Sequence, residues 1–168
     1  FGIVYGIGAF SLAKDIGVSN KEAKHYIESY LAHYSGVDSY MKNVVEKANA
    51  DGYVETMFGR RRNLPELTSS KHMIRAFGER VARNMPIQGT AADIIKIAMI
   101  KVDERMKAEN LRARLVLQVH DELIVEAPQD ESMRVALIVQ EEMENAVKMS
   151  VPLTADAAIG RTWYDAKG

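Results

Sequence analysis

Leu117-Gln-Val-His-Asp-Glu-Leu-Ile-Val-Glu-Ala-Pro128 sets two runs rich in Val, Ile and Leu on either side of His120, Asp121 and Glu122. Both runs read as strands, with Leu115, Leu117 and Val119 expected on one face of the first and Leu123 and Val125 in the second. The connection contains no Gly, Pro or Asn, the residues of ordinary surface turns. A hairpin carrying an imidazole and two adjacent carboxylates at its apex concentrates negative charge at one edge of a sheet. Such a cluster repels itself unless a cation or a proton is held there. A solvated acidic turn is the simpler alternative for any Asp-Glu pair. Here the apolar strands would fix the carboxylates in place, which favours a divalent metal.

Around this stretch the chain has the make-up of a globular protein or a piece of one: 168 residues, 47% apolar and 27% charged. No run of about eighteen apolar residues exists, so no membrane span is expected. A basic-then-apolar leader is also missing. The absence of cysteine rules out disulfides and thiolate zinc sites and agrees with a reducing compartment. The chain starts at Phe1, inside an expected helix, which reads as the start of a fragment.

Net charge is −1, but it is unevenly spread. Arg60, Arg61, Arg62, Lys71, Arg75, Arg80 and Arg83 stand against only Glu66 and Glu79, a local +5 that leaves −6 for the remainder. A basic belt on an acidic body is the footprint of a phosphate-backbone contact, with a solvated charged face as the alternative.

The periodicities give mostly helices. The first runs to about Asp15, with Phe1, Tyr5 and Leu12 near helical spacing. Ser19 and Glu22 form a capping box for a second, striped by Ala23, Tyr26, Ile27, Tyr30, Leu31 and Tyr34 and stopped at Gly36. A third carries Tyr40, Met41, Val44, Val45 and Ala48 and ends at Gly52, and the tyrosines of both are expected in the core. Residues 52–59 read as a short strand leading into an Arg60–Arg62 turn, and residues 66–71 as loop. A helix from about His72 to Met85 should break or kink at Pro86, with Thr90 and Asp93 capping a new one striped by Ala91, Ile95, Ala98, Val102 and Met106. After the hairpin come a helix with Met133, Ala136, Leu137, Met143 and Val147, a last strand over 151–159, and Trp163 as an anchor. The class is α+β, a helical segment followed by part of an antiparallel sheet packed on helices.

The 117–128 stretch resembles the palm motif of the family A DNA polymerases, the DNA polymerase I group. Three further stretches resemble that family in the same order: Phe1 to Gly6, the end of the fingers motif; Glu79, Arg80, Asn84, Pro86 and Gln88 to Asp93, the segment gripping the duplex minor groove; and Gly160 to Lys167, the end of the polymerase chain. The resemblance divides the chain into a fingers-derived helical segment with a short β-hairpin (1–70) and the C-terminal part of the palm (71–168). It implies template-directed DNA synthesis on primer-template DNA with dNTPs and two Mg²⁺ ions, in a bacterial cytoplasm at the nucleoid, away from membranes.

Residue by residue, the resemblance makes Asp121 a catalytic metal ligand, with Glu122 beside the metals and His120 at the primer terminus. Hard cations take oxygen ligands, which suits that pair of carboxylates. Arg80 and Asn84, four apart on a helix, and Gln88 beyond Pro86 would reach minor-groove acceptors such as adenine N3 and thymine O2. Arg75 would hold a phosphate. Tyr5, with Gly6, would lie where the template base enters, and Phe1 against the incoming sugar, discriminating against dideoxynucleotides. The family's second catalytic Asp and its triphosphate-binding Arg and Lys lie upstream of Phe1. The chain alone is therefore expected to be inactive, with the missing N-terminal part as its partner. The alternatives are a non-catalytic nucleic-acid-binding module using the basic belt, or a metal-dependent hydrolase, which lacks any H-E-x-x-H or G-x-S-x-G motif here.

Overall fold

A computed structural model of the protein describes residues 2–167, which fall into two compact units divided between Thr90 and Ala91. The α+β class holds, with helices predominating over two small antiparallel sheets.

In the first unit the expected opening helix is a turn instead. The amide of Gly6 donates to Ile3 O at 3.0 Å and that of Ile7 to Gly2 O at 2.9 Å, and helix α1 begins only at Ala9–Ile16. Gly6 sits at φ 79°, outside the helical region, and glycine tolerates that where other residues do not. Helix α2, Asn20–His33, opens with the expected capping box, Glu22 N–H donating to Ser19 Oγ and Ser19 N–H to Glu22 Oε2. Gly36 does not stop it. The break is Tyr34, whose N–H closes α2 on Tyr30 O while its carbonyl accepts from Val37 and Asp38 at the start of α3, Ser35–Asp51. The tyrosines are not core either: Tyr26, Tyr34 and Tyr40 are 49%, 49% and 42% exposed, whereas Ala23 and Ala48 are fully buried. Ala23, Ala48 and the expected Met41 occupy the buried helix positions, and the rings lie at the margins.

Strand β1, Tyr53–Glu55, pairs antiparallel with β2, Arg61–Asn63, so Arg61 and Arg62 belong to a strand rather than to the turn. The turn is Thr56–Arg60, closed by the Thr56 amide on Arg60 O at 3.0 Å. The expected polar loop contains a 3₁₀ turn, Pro65–Thr68, that buries Leu67. Leu67 joins Ala48, Val54, Leu64 and Ala82 in the unit's core.

The largest departure is α4, a single helix from His72 to Ala108 with Pro86 inside it. Pro86 has no N–H for the Ala82 carbonyl, which costs about 3 kcal/mol in a helix interior. Burial of Ala82, with Val81 and Met85 packed on the same core, offsets that cost. Thr90 caps nothing. It is buried within the helix, its hydroxyl donating to the Pro86 carbonyl and accepting the Met57 amide at 3.0 Å. At the preceding residue, a Cβ on Gly89 would stand 2.7 Å from Thr56 Cγ2, so only glycine permits this approach of hairpin and helix.

In the second unit Ile95, Ala98, Val102 and Met106 of α4 are buried as the stripe predicts, although Ala91 is exposed. Strand β3, Arg114–Val119, pairs antiparallel with β4, Glu122–Glu126. Leu115 opposes Val125 but Leu117 opposes Ile124, so Val116 is the extra residue of a bulge. The bulge shifts the alternation by one, moving Leu117 and Val119 off the face of Leu115. Leu115, Leu123 and Val125 pack on Val102, Met106, Ala113, Val135 and Ile138, and Leu117 is left 48% exposed.

Helix α5, Ser132–Glu144, buries Val135 and Ile138 instead of the expected Met133 and Leu137, which are exposed. Both phases are apolar, and ion pairs accompany the one that is buried. Arg105 on α4 meets Glu141 and Glu142 at 2.7 Å each, and Arg134 meets Glu109 at 2.6 Å. Residues 151–159 form no strand: Pro152 interrupts the run, and the Ala155 amide donates to the Glu144 side chain at 3.1 Å. Trp163 opens α6, Trp163–Lys167, and is 43% exposed with the Lys167 ammonium 5.1 Å from its ring, so it is no buried anchor.

Hydrogen bonding from Arg134, then its charge and the Arg105 contact, hold the Glu109 carboxyl below its ordinary 4.5. A depressed folded pKa stabilises the fold fully above the unfolded value and ceases to do so as pH falls through the folded one. Arg134→Met is therefore expected to lower stability modestly at neutral pH, with the gap to the parent chain closing well below pH 4.5. Urea unfolding at the two pH values measures this. A gap independent of pH would make the contact one of packing.

Candidate functional site

Val119 pairs with Glu122, so the β3–β4 connection is the two-residue turn His120–Asp121. His120 takes φ 53°, and it and Asn110 are the only non-glycine residues with positive φ among those described. Positive φ at the first turn position alone matches a II′ turn, where glycine is the usual occupant. Imidazole is among the side chains that tolerate this region, and the Gln118 amide secures the bend by donating to the His120 carbonyl at 2.6 Å. The turn leaves both His120 and Asp121 exposed.

Glu122 differs from its neighbour. Its Oε1 pairs with the Lys167 ammonium at 3.3 Å, while its Oε2 is buried without a hydrogen-bond partner. The Asp121 carboxylate is exposed, and Glu122, next in the chain, keeps this unsatisfied oxygen; carboxylate oxygens are the hard donors that divalent cations take. Among the described residues no group of three or more His, Cys, Asp or Glu side chains is placed to hold a metal. Lys167, brought in by α6, has no local signal in the sequence that would tie it to residue 122.

In the first unit the unbroken α4 places Arg80, Asn84 and Gln88 at successive intervals of four, on one face of one helix. The sequence reading had put Gln88 across a break. Arg80 is exposed, its guanidinium 6.0 Å from the Phe77 ring. Asn84 Oδ1 is buried with no partner. Arg75 lies on a different face, donating to the Ser69 carbonyl at 3.3 Å. A cleft of about 340 Å³ opens along the row, lined by Arg62, Val81, Asn84, Met85, Gln88 and Gly89.

The basic belt is partly neutralised from within. Arg61 pairs with Glu55 at 3.2 Å and lies 4.4 Å over the Tyr53 ring, and Arg83 pairs with Glu79 at 3.4 Å. Tyr5 and Gly6 stand in the opening turn rather than on a helix, both half-buried. Arg83 Nη1 is 3.4 Å from where a Cβ on Gly6 would be, which brings this turn against α4. Phe1, the expected sugar contact, lies outside the described residues.

The chain matches the family model for DNA polymerase family A over residues 1–165. It is 54% identical over 167 residues to the DNA polymerase I of Bacillus caldotenax, 53% to that of Geobacillus stearothermophilus and 52% to that of Bacillus subtilis. Each alignment covers 99% of this chain but 19% of the relative, so the chain spans about a fifth of their length. Among solved structures it is similar to the POL domain of Pol1 from M. smegmatis in complex with DNA primer-template and dNTP, with TM-score 0.95 and 46% identity, covering 99% of this chain and 30% of that one. No helix among the described residues is long and apolar enough to cross a membrane.

The left-handed turn at His120 makes its own prediction. His120→Val, β-branched at a positive φ, should destabilise the chain by about 1–2 kcal/mol. His120→Gly should cost nothing by the same backbone argument. Urea midpoints of the two variants compare them; equal losses would mean that the imidazole's contacts, rather than the backbone, decide the turn.

Proposed function

Because this chain belongs to DNA polymerase family A, we propose that it forms the C-terminal fingers and palm portion of a DNA-directed DNA polymerase. Residues 1–70 are the fingers-derived segment and 71–168 the palm. The whole enzyme adds dNTPs to a primer 3′ end on a DNA template, at the bacterial nucleoid. The observation that carries this reading is the β3–β4 apex, where a strained turn holds Asp121 exposed next to the unsatisfied Glu122 Oε2. A carboxylate oxygen buried without a donor is costly unless a cation or proton reaches it.

These two residues fit a share of a magnesium site, with Asp121 as the ligand and Glu122 beside it. Two Mg²⁺ ions bound there supply charge neutralisation at the triphosphate and activation of the primer hydroxyl. The remaining donors come from the rest of the polymerase, since no group of three candidate ligands exists among the described residues. The Lys167 contact restrains Glu122 through Oε1 and leaves Oε2 for the site. His120, adjacent at the turn, meets the primer terminus.

Arg80, Asn84 and Gln88 present donors in a line along α4, the arrangement needed to contact successive minor-groove acceptors without reading sequence. Arg75, on another face, serves a phosphate. Tyr5 and Gly6 contact the template from the opening turn, and Phe1 is assigned to the incoming sugar by the family resemblance alone. The solved relative bound to primer-template and dNTP supports these partners for the whole enzyme.

In a full-length polymerase containing this chain, Asp121→Ala should abolish turnover by several orders of magnitude while duplex affinity stays within a few-fold. Primer extension and equilibrium binding read the two separately. Retained turnover in Asp121→Ala, with function lost in Arg80→Ala, would turn the reading into a non-catalytic DNA-binding module. The 168 residues by themselves are expected to extend no primer with dNTPs and Mg²⁺, and robust incorporation would show that the site is complete within them.

A further inference from the structure

Arg62 was counted in the basic belt but given no task. In the β1–β2 ladder it pairs with Val54, which is buried, while Arg61 pairs with Glu55. The period of two along a strand sends neighbouring residues to opposite faces. Arg61 is thereby committed to Glu55 and the Tyr53 ring. Arg62 instead lines the cleft along α4 with Asn84 and Gln88, and it has no ion-pair partner among the described residues.

Three features make this cleft a prepared site. The hairpin is fixed to the helix by the Met57–Thr90 hydrogen bond and by the close approach of Thr56 to Gly89, so Arg62 does not depend on a loose loop. Asn84 Oδ1 is buried and unsatisfied, an acceptor that the guanine amino group of a minor groove could meet. The lining polar side chains are one guanidinium and two carboxamides, all able to donate, with no carboxylate among them. Such a set suits an acceptor-rich edge presented by a ligand wide enough to span a strand and a helix.

We infer that Arg62 is a further DNA contact, its guanidinium donating to minor-groove acceptor atoms of the duplex beside Asn84 and Gln88. The inference rests on the polymerase reading above and deepens it. Duplex DNA presents adenine N3 and thymine O2 as acceptors in that groove whichever way round the pair stands. A forked donor from a second structural element would test the groove's shape from another direction than the α4 row. Arginine suits this better than lysine because its donors are held in a plane.

The test uses full-length polymerase and primer-templates in which a single adenine is replaced by 3-deazaadenine, which has C–H in place of the N3 acceptor. The substitution is walked through the duplex. With ordinary DNA, Arg62→Ala should lower kcat/KM for extension roughly tenfold, the scale of one good base-edge contact. At one duplex position the deaza substrate should cost the parent enzyme a similar factor and cost Arg62→Ala nothing further. Arg62→Lys, which keeps the charge and loses the fork, should remain impaired.

Penalties that multiply at every position would overturn the inference. So would an Arg62→Ala enzyme whose main change is a salt dependence of binding shallower by about one phosphate, which marks a backbone contact. Asn84→Ala and Gln88→Ala run alongside. If neither alters extension nor duplex affinity, the reading of the α4 row itself fails. If both are impaired while Arg62→Ala matches the parent, only the assignment of Arg62 fails.

Discussion

The Thr90 hydroxyl makes two hydrogen bonds on which the functional face of the first unit depends. It donates to the Pro86 carbonyl one turn back and accepts the amide of Met57 in the β1–β2 turn. The Thr90 side chain is buried, so its hydroxyl has no water to fall back on. Through the first bond it braces the turn of α4 that follows the proline. Through the second it fixes the hairpin against that same turn, where Gly89 leaves no room for anything larger than hydrogen. An unbroken α4 puts Arg80, Asn84 and Gln88 in line, and the fixed hairpin brings Arg62 to the cleft beside them.

The second unit separates structural charges from available ones. Several of its acids are engaged: Glu109 by Arg134, Glu141 and Glu142 by Arg105, Glu131 by Arg112. Those contacts hold the Glu109 carboxyl down and the Arg105 guanidinium well up, chiefly through Glu142, as expected of pairs that fasten one helix to another. At the β3–β4 apex the pattern differs. Asp121 is exposed, and one Glu122 oxygen is buried with no donor. The acids that join the helices are paired, whereas at the apex the printed partner is Lys167, on Glu122 Oε1 alone. The contrast makes the apex, rather than the more acidic helix surface, the place to look for chemistry.

Much of this was legible in the sequence because it depends on residue identity at short range. The β3–β4 hairpin, the Ser19 capping box, the end of α3 at Gly52 and the stripe from Ile95 to Met106 all follow from local pattern. What was misread depends on partners distant in sequence. Pro86 breaks a helix in isolation, and nothing near it announces the Thr90–Met57 bond. The bulge at Val116 changes which face Leu117 occupies without any glycine to mark it. On α5, two apolar phases compete, and the helix buries the one accompanied by arginine pairs from residues as far off as Arg105. The 151–159 run is apolar enough for a strand, but Pro152 and the Glu144 contact leave it irregular.

Residue chemistry is less sensitive to these misreadings than direction is, for a physical reason. A side chain's chemistry is fixed by its type, whereas its direction depends on the phase of its element. An error of phase left Asp121 a carboxylate at a turn, since two flanking strands were enough to expose it. It mattered more along α4, where a break at Pro86 would have pointed Gln88 away from Asn84, and continuity restores their common face. The unsatisfied oxygens then carry the argument a step beyond placement. Asn84 Oδ1 and Glu122 Oε2 have already been withdrawn from water with nothing given in return. The desolvation cost of those atoms is met by folding, so a ligand that supplies the missing partners gains the interaction without meeting that cost again.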